Sequence, residues 1–182
     1  MSRWKALFVV PVLALACGCA GTTMVPIKAL DDNLATYNTV VVSVKSKVAE
    51  DVDDQLDDLR EETIARISKL KLFDLVTFAD GAQANPGHLW IDISITQARK
   101  VGGASRFWLG MFAGKASMTT ETKFIDAVTG DILGVYKIKG ETGSTGSSGT
   151  TSQAVEKTAD GIVKVIKEKY TPPAAVTTRP GS

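Results

Sequence analysis

Histidine and cysteine are almost missing from this 182-residue chain: there is one His, and the two Cys stand two positions apart near the amino terminus. Metal ligands must converge in space and a stapled core needs cysteines far apart in the chain, so a zinc site and a disulfide framework are both excluded. Net charge is nearly absent too. Twenty-one Lys and Arg oppose 20 Asp and Glu, a formal +1, which leaves no cationic surplus for counterion release and argues against a nucleic-acid partner. The one clearly apolar run, residues 6–16, has eleven residues, too few and too terminal for a multi-span membrane protein. What is present, 44% hydrophobic and 23% charged residues, is the composition of one globular domain.

The amino terminus has its own logic. Arg3 and Lys5 make a short basic region, the apolar run follows, and Cys17-Gly18-Cys19-Ala20-Gly21 forms a small-residue exit. As a helix the run would reach about 16 Å, roughly half the hydrocarbon thickness, so it suits a cleaved signal over residues 1–18 rather than a permanent span. Small residues directly before a cysteine resemble the lipobox of bacterial lipoproteins. That resemblance implies a diacylglyceryl group on a cysteine thiol, cleavage just before it, and palmitate-type acylation of the new amino terminus. Cys19, preceded by Ala16-Cys17-Gly18, and Cys17, preceded by Ala14-Leu15-Ala16, are the two candidates, with Cys19 slightly preferred for the small Gly18 at the cut. An ordinary periplasmic signal cut near Ala20-Gly21 is the alternative. Each buried CH₂ contributes about 0.8 kcal/mol, so two or three acyl chains would hold the protein at a bilayer. No early Asp follows the cysteine, and the resemblance then implies the outer membrane, facing the periplasm. Loss of Arg3 and Lys5 leaves 19 basic and 20 acidic residues, a near-neutral surface that adds no headgroup attraction.

Beyond the signal, residues 19–36 carry little periodicity and include Pro26, and they read as a flexible tether. The domain is expected over 37–170. The β-branched stretch 39–44 reads as a buried strand. Apolar residues Val52, Leu56, Leu59, Ile64, Ile67 and Leu70 keep one stripe of a helix over 51–70, with acids early and bases late, as the helix dipole favours. Short strand 73–78 and a turn-rich stretch precede 88–98, where Leu89, Ile91, Ile93 and Ile95 alternate with polar residues at the period of a half-buried strand. Segments 116–125 and 132–139 read as a hairpin with Gly130 supplying a positive φ. The Gly/Ser-rich 140–149 is expected to be mobile. A second helix over 153–169 ends before Pro172-Pro173, and 171–182 reads as a disordered tail. The sum is an α+β domain, a mainly antiparallel sheet of about four to five strands packed by two long helices.

Candidate chemistry is thin. The acidic run from Asp51 places Glu62 where a calcium loop wants its Glu, but Leu56 stands where the loop requires Gly, and the helical pattern explains the charges. A phosphate-loop reading of Gly114-Lys115 fails at Leu109 and Ala116. His88 has no partners at a triad spacing, and the Ser-rich loop holds no Gly-x-Ser-x-Gly. Asp92 and Glu121 could meet across strands, although such positions are usually solvated. No catalytic residue, metal site or cofactor is assigned. Gly110 and Gly114, four apart, suit a close contact, so Arg106, Phe107, Trp108, Gly110, Met111, Phe112, Gly114 and Lys115 form a candidate interaction patch or, alternatively, a buried connection.

The stretch Ser105-Arg106-Phe107-Trp108-Leu109-Gly110-Met111-Phe112-Ala113-Gly114-Lys115-Ala116, the hairpin Asp126-Ala127-Val128-Thr129-Gly130 and the Gly/Ser loop before the last helix resemble the bacterial lipoprotein family called domain of unknown function 4410, over roughly 37–170. Met111-Phe112 departs from the family, where more Gly is usual. The family has no established activity, so the resemblance implies location and fold and no catalytic residue. The element order is also similar to periplasmic domains of curli-secretion and synthase-activator lipoproteins, at the level of fold alone. The expectation is a non-enzymatic, lipid-anchored envelope module that binds or assembles with an envelope protein. An oligomeric subunit of a secretion or envelope complex, hence a homo-oligomer, is the alternative, and a hydrolase using His88 is a distant third.

Overall fold

The computed structural model describes residues 21–49, 52–79, 85–99, 115–143 and 150–172. Strand β1 (Gly21–Lys28) and a single 3-10 turn (Leu34–Thr36) lead into β2 (Thr39–Ser46). Helix α1 (Asp53–Leu70), β3 (Leu75–Phe78), β4 (His88–Arg99), β5 (Ser117–Asp126), β6 (Ile132–Glu141) and α2 (Thr151–Lys169) follow. The sheet has six strands in the order β1-β6-β5-β4-β2-β3.

The α+β class is as expected, but the sheet is mixed and larger than four to five mainly antiparallel strands. β2 runs parallel to both β3 and β4, while β4–β5, β5–β6 and β1–β6 are antiparallel. The cause is two returns of the chain across the sheet, which a tight turn cannot make: α1 carries it back between β2 and β3, and it must return again between Phe78 and His88 for β4 to run the same way. Lys71 closes α1 in the left-handed region at φ 53°, and α2 is capped by the Thr150 hydroxyl, which accepts from the Gln153 amide at 3.2 Å.

The tether expected over 19–36 is the second correction. Residues 21–28 pair with β6 along its length, from Gly21 opposite Glu141 to Lys28 opposite Val135. Pro26 is tolerated because β1 is an edge strand, and the register shifts between Pro26 and Lys28. Leu30 and Leu34 are fully buried in the core. The Leu30 amide donates to the Tyr136 hydroxyl at 3.3 Å. Asn33 exchanges two hydrogen bonds with the Thr171 backbone, each 2.9 Å, so the first residue of the expected tail is tied down, while residues 173–182 lie outside the described residues. The domain therefore starts by residue 21 rather than 37. Likewise Gly140 and Glu141, expected to open a mobile loop, complete β6, and Thr142 behind them is fully buried.

Both helices pack on one face of the sheet. Val40, Val42, Leu89, Ile91, Ile93, Ile95, Phe124, Ile138, Leu59, Ile67, Ala159, Ile162 and Ile166 fill the layer between them with no exposed surface. Two glycines set the distance. A Cβ on Gly140 would meet the Ala154 carbonyl oxygen at 2.4 Å, and one on Gly161 would meet Cγ2 of Ile138 at 2.5 Å and of Thr22 at 2.7 Å. Helix α2 thus lies against β6 and β1 at a separation that only hydrogen permits. The Arg66 guanidinium joins the helices, pairing with Glu62 on its own helix and with Asp160 across the gap.

Gly140→Ala and Gly161→Ala should each lower the unfolding free energy by about 1–3 kcal/mol through overpacking. Gly130→Ala, with φ +74° and open space around it, should cost only about 1–2 kcal/mol of left-handed strain. Urea unfolding checks this, and Gly140→Ala and Gly161→Ala variants as stable as wild type would contradict the close approach.

Candidate functional site

With the helices on one face, strand parity sends every second side chain to the other. There, among the described residues, no helix covers the sheet. Ser43 and Lys45 of β2, Trp90, Asp92 and Ser94 of β4, Glu121, Lys123 and Ile125 of β5 and Val135, Lys137 and Lys139 of β6 share this face through the strand registers. Opposite charges meet across the strands. Lys45 Nζ lies 2.8 Å from Asp92 Oδ2, and the Ser43 hydroxyl donates to Asp92 Oδ1 at 3.2 Å. Glu121 is shared by Lys47 at 3.2 Å and Lys123 at 3.7 Å, and Lys139 pairs with Glu141. Such partly exposed pairs contribute about 0–1 kcal/mol each, so they shape what can dock more than they hold the fold.

At one end the same face turns apolar. Val41, Trp90, Ile125 and Ile132 stand in register across four strands. Trp90 Nε1 and His88 Nδ1 are buried without a hydrogen-bond partner, polar atoms that normally find one. The edge strand adds exposed Val25 and Ile27. The result is a six-stranded surface, charged and paired over most of its area and apolar along one row.

The residues singled out from sequence fall as follows. Cys17 and Cys19 lie outside the described residues, as do Arg106, Phe107, Trp108, Gly110, Met111, Phe112 and Gly114. Lys115 is described; it is half-buried at the start of β5, and its charge helps Lys139 hold the Glu141 carboxyl below its ordinary value. Asp92 and Glu121 do not form a shared acid–base pair, because each is engaged by its own lysines. His88 opens β4 beside Thr39, its amide bonded to the Asn85 carbonyl at 3.1 Å. Of the acidic run, Asp53, Asp54, Asp57 and Asp58 lie on α1 and Asp51 lies outside the described residues; Asp58, Glu61 and Glu62 line an open cleft of about 220 Å³ with Ser152, Val155 and Glu156 of α2. Among the described residues no three His, Cys, Asp or Glu side chains converge as metal ligands, and no helix is long and apolar enough to cross a membrane.

One interacting pair was not anticipated. Asp126 ends β5 and accepts from the amides of Val128 and Thr129, both at 2.9 Å, and from the Tyr37 hydroxyl at 3.1 Å. The Thr129 amide, then that of Val128, holds the Asp126 carboxyl below its ordinary value. Burial, followed by the bond to Asp126, pushes the Tyr37 hydroxyl from 10.0 up to about 12. The Asp-Ala-Val-Thr-Gly signature could have revealed the turn's Asp, since a side chain that accepts two and three residues ahead is the usual Asx geometry. Its second partner, 89 residues away, has no local sign.

These observations define a class: an α+β domain with two helices on one face of a six-stranded mixed sheet and, opposite, a patterned face on which none of the described helices lies. The family is narrower. Residues 25–147 match the family described as Domain of unknown function (DUF4410), and the chain belongs to it. No curated protein matches the chain in sequence. In fold it is similar to a PelC dodecamer from Paraburkholderia phytofirmans, with a TM-score of 0.58 at 10% identity over 82% of this chain and 99% of that one. A variant PelC dodecamer from the same organism gives 0.56 at 10% identity over 82% and 98%. A lipoprotein from Neisseria meningitidis overlays more loosely, at 0.41 and 11% identity over 74% and 99%. At such identities the likeness is one of fold.

A raised tyrosine pKa stabilises the fold fully below the unfolded value and is lost as pH climbs through the folded one. Stability should therefore fall as pH rises from 10 through about 12. Tyr37→Phe should be less stable at neutral pH and flatter across that window, as read by urea unfolding at each pH; an unchanged alkaline slope would contradict the Tyr37 environment described.

Proposed function

We propose that this protein is a lipid-anchored module of the bacterial cell envelope that binds or assembles with protein partners and carries out no catalysis. The observation that carries the reading is the apolar run ending at Cys17-Gly18-Cys19, ahead of a domain whose described residues hold carboxylates already paired with lysines. The anchor is the acylated Cys19, or Cys17, and the location is the outer membrane with the domain facing the periplasm. The helix-free sheet face is the surface that meets a partner, since a large, preorganised array of alternating charges discriminates among partners better than it stabilises a monomer.

A second reading is favoured by the fold's likeness to structures solved as PelC dodecamers. Here the protein is an oligomeric subunit of a secretion or envelope complex, and copies of the chain are its own first partners. A closed ring needs two different surfaces on each subunit, and this domain offers two: a helical face and a sheet face on which none of the described helices lies.

Globomycin, or replacement of both Cys17 and Cys19 by Ser, should stop maturation and leave uncleaved precursor or released protein, while wild type sediments with membranes. Unchanged processing and sedimentation would defeat the anchor. Mass measurement of the full chain in detergent should give a closed oligomer under the second reading; a strict monomer would remove it and leave the first.

A further inference from the structure

The anchor and the first strand are closer together than a tethered lipoprotein would need. β1 begins at Gly21, two residues after Cys19 and four after Cys17. Fully extended, those links reach about 7 Å and about 14 Å. β5 alone, with ten residues, is about 30 Å long. The leash is therefore shorter than the body it holds, whichever cysteine is acylated.

Strand register says which part of the body is held. Gly21 is opposite Glu141, Glu141 is opposite Ser117, and Ser117 is opposite Arg99. One end of the sheet thus gathers Gly21, Arg99, Lys115, Ser117 and Glu141, while the β5–β6 turn with Val128 and Gly130 lies at the other. Resting the body on its helical side would set the Arg66–Glu62–Asp160 cluster that joins the helices against headgroups that compete for its charges. Resting it on the bare face would strip water from the Lys45–Asp92 and Lys47–Glu121–Lys123 pairs, at a desolvation cost that their attraction does not recover. Lying on β1 would press an edge with unpaired backbone groups toward lipid.

Resting on the lipid-anchor reading above, we propose that the end of the sheet formed by Gly21, Arg99, Lys115, Ser117 and Glu141 is apposed to the lipid headgroups. The domain stands on the membrane with the β5–β6 turn pointing away, rather than swinging on a leash. Its occupant is the bilayer that holds the acyl chains. A protein partner must then come to the membrane surface, and copies of the chain share one height and one upright orientation, which removes part of the orientational cost of side-by-side assembly.

The test uses the full-length lipidated protein in phosphatidylethanolamine–phosphatidylglycerol vesicles containing a headgroup-attached quencher. A fluorescent non-natural amino acid is placed at Ser117, at Lys115 as a second membrane-end position, or at Val128. The probes at Ser117 and Lys115 should be quenched several-fold more than the one at Val128. Inserting fifteen Gly/Ser residues between Ala20 and Gly21 should bring that ratio close to one without releasing the protein. Equal quenching at both ends of vesicle-bound native-length protein, or a ratio untouched by the insertion, would overturn the orientation and leave the anchor standing. Protein that fails to stay on the vesicles would instead overturn the anchor reading itself.

Discussion

The close seating of α2 on the β6–β1 corner is the constraint from which the rest of this structure follows. Where Gly161 faces Ile138 and Thr22, a helix and two strands meet within the space of one absent methyl group. The Thr22 hydroxyl reaches past it to donate to the Lys157 carbonyl. This contact makes residues 21–28 a strand of the domain instead of a leader to it. It also brings Leu30 and Leu34 into the core and lets Asn33 close on Thr171, so the segment after β1 and the carboxyl end of α2 are secured together. Overpacking at such a point has no cheap escape, because the neighbours of Gly140 include backbone atoms and not merely flexible side-chain tips.

A one-sided helical layer leaves the opposite sheet face to be explained by something other than core packing. Exposed sheet faces are usually patterned with single polar residues that interact with water. This one is organised further: acids and lysines alternate across strands so that Asp92 and Glu121 are engaged by neighbouring lysines, and the apolar row through Trp90 sits at one end only. An unpartnered indole nitrogen in that row is a cost carried by the isolated chain. On the binding role proposed above, the paired charges would select the partner and the apolar strip would contribute affinity.

Much of this was legible in the sequence, and the parts that were not share a physical reason. Alternation over 88–98 and the three-to-four spacing over α1 and α2 report burial on one side of a regular element, and those elements stand where periodicity put them. The Gly130 turn was readable because positive φ leaves a chemical mark. β1 was not readable: an edge strand is covered on one side by one neighbour, its apolar content is low, and Pro26 is permitted only because that edge is free. The parallel pairing of β2 with β3 and β4 was hidden for a different reason, since strand direction depends on the path of the connections between the strands and not on any residue within them. Gly140 read as the start of a loop because glycine required by close helix packing is locally identical to glycine required by flexibility. At the candidate site, the engagement of Asp92 by Lys45 and of Glu121 by Lys47 depends on register, which a single sequence does not encode locally.

The proposed upright placement and the short leash both require residues 21–28 to be part of the folded sheet. Hydrogen exchange at single-residue resolution on the mature domain measures this directly. The β1 amides that point toward β6 should exchange orders of magnitude more slowly than a free peptide and open together with the amino-terminal half of α2. Exchange at free-peptide rates through Thr23, Val25 and Lys28, with β6 still protected, would contradict it.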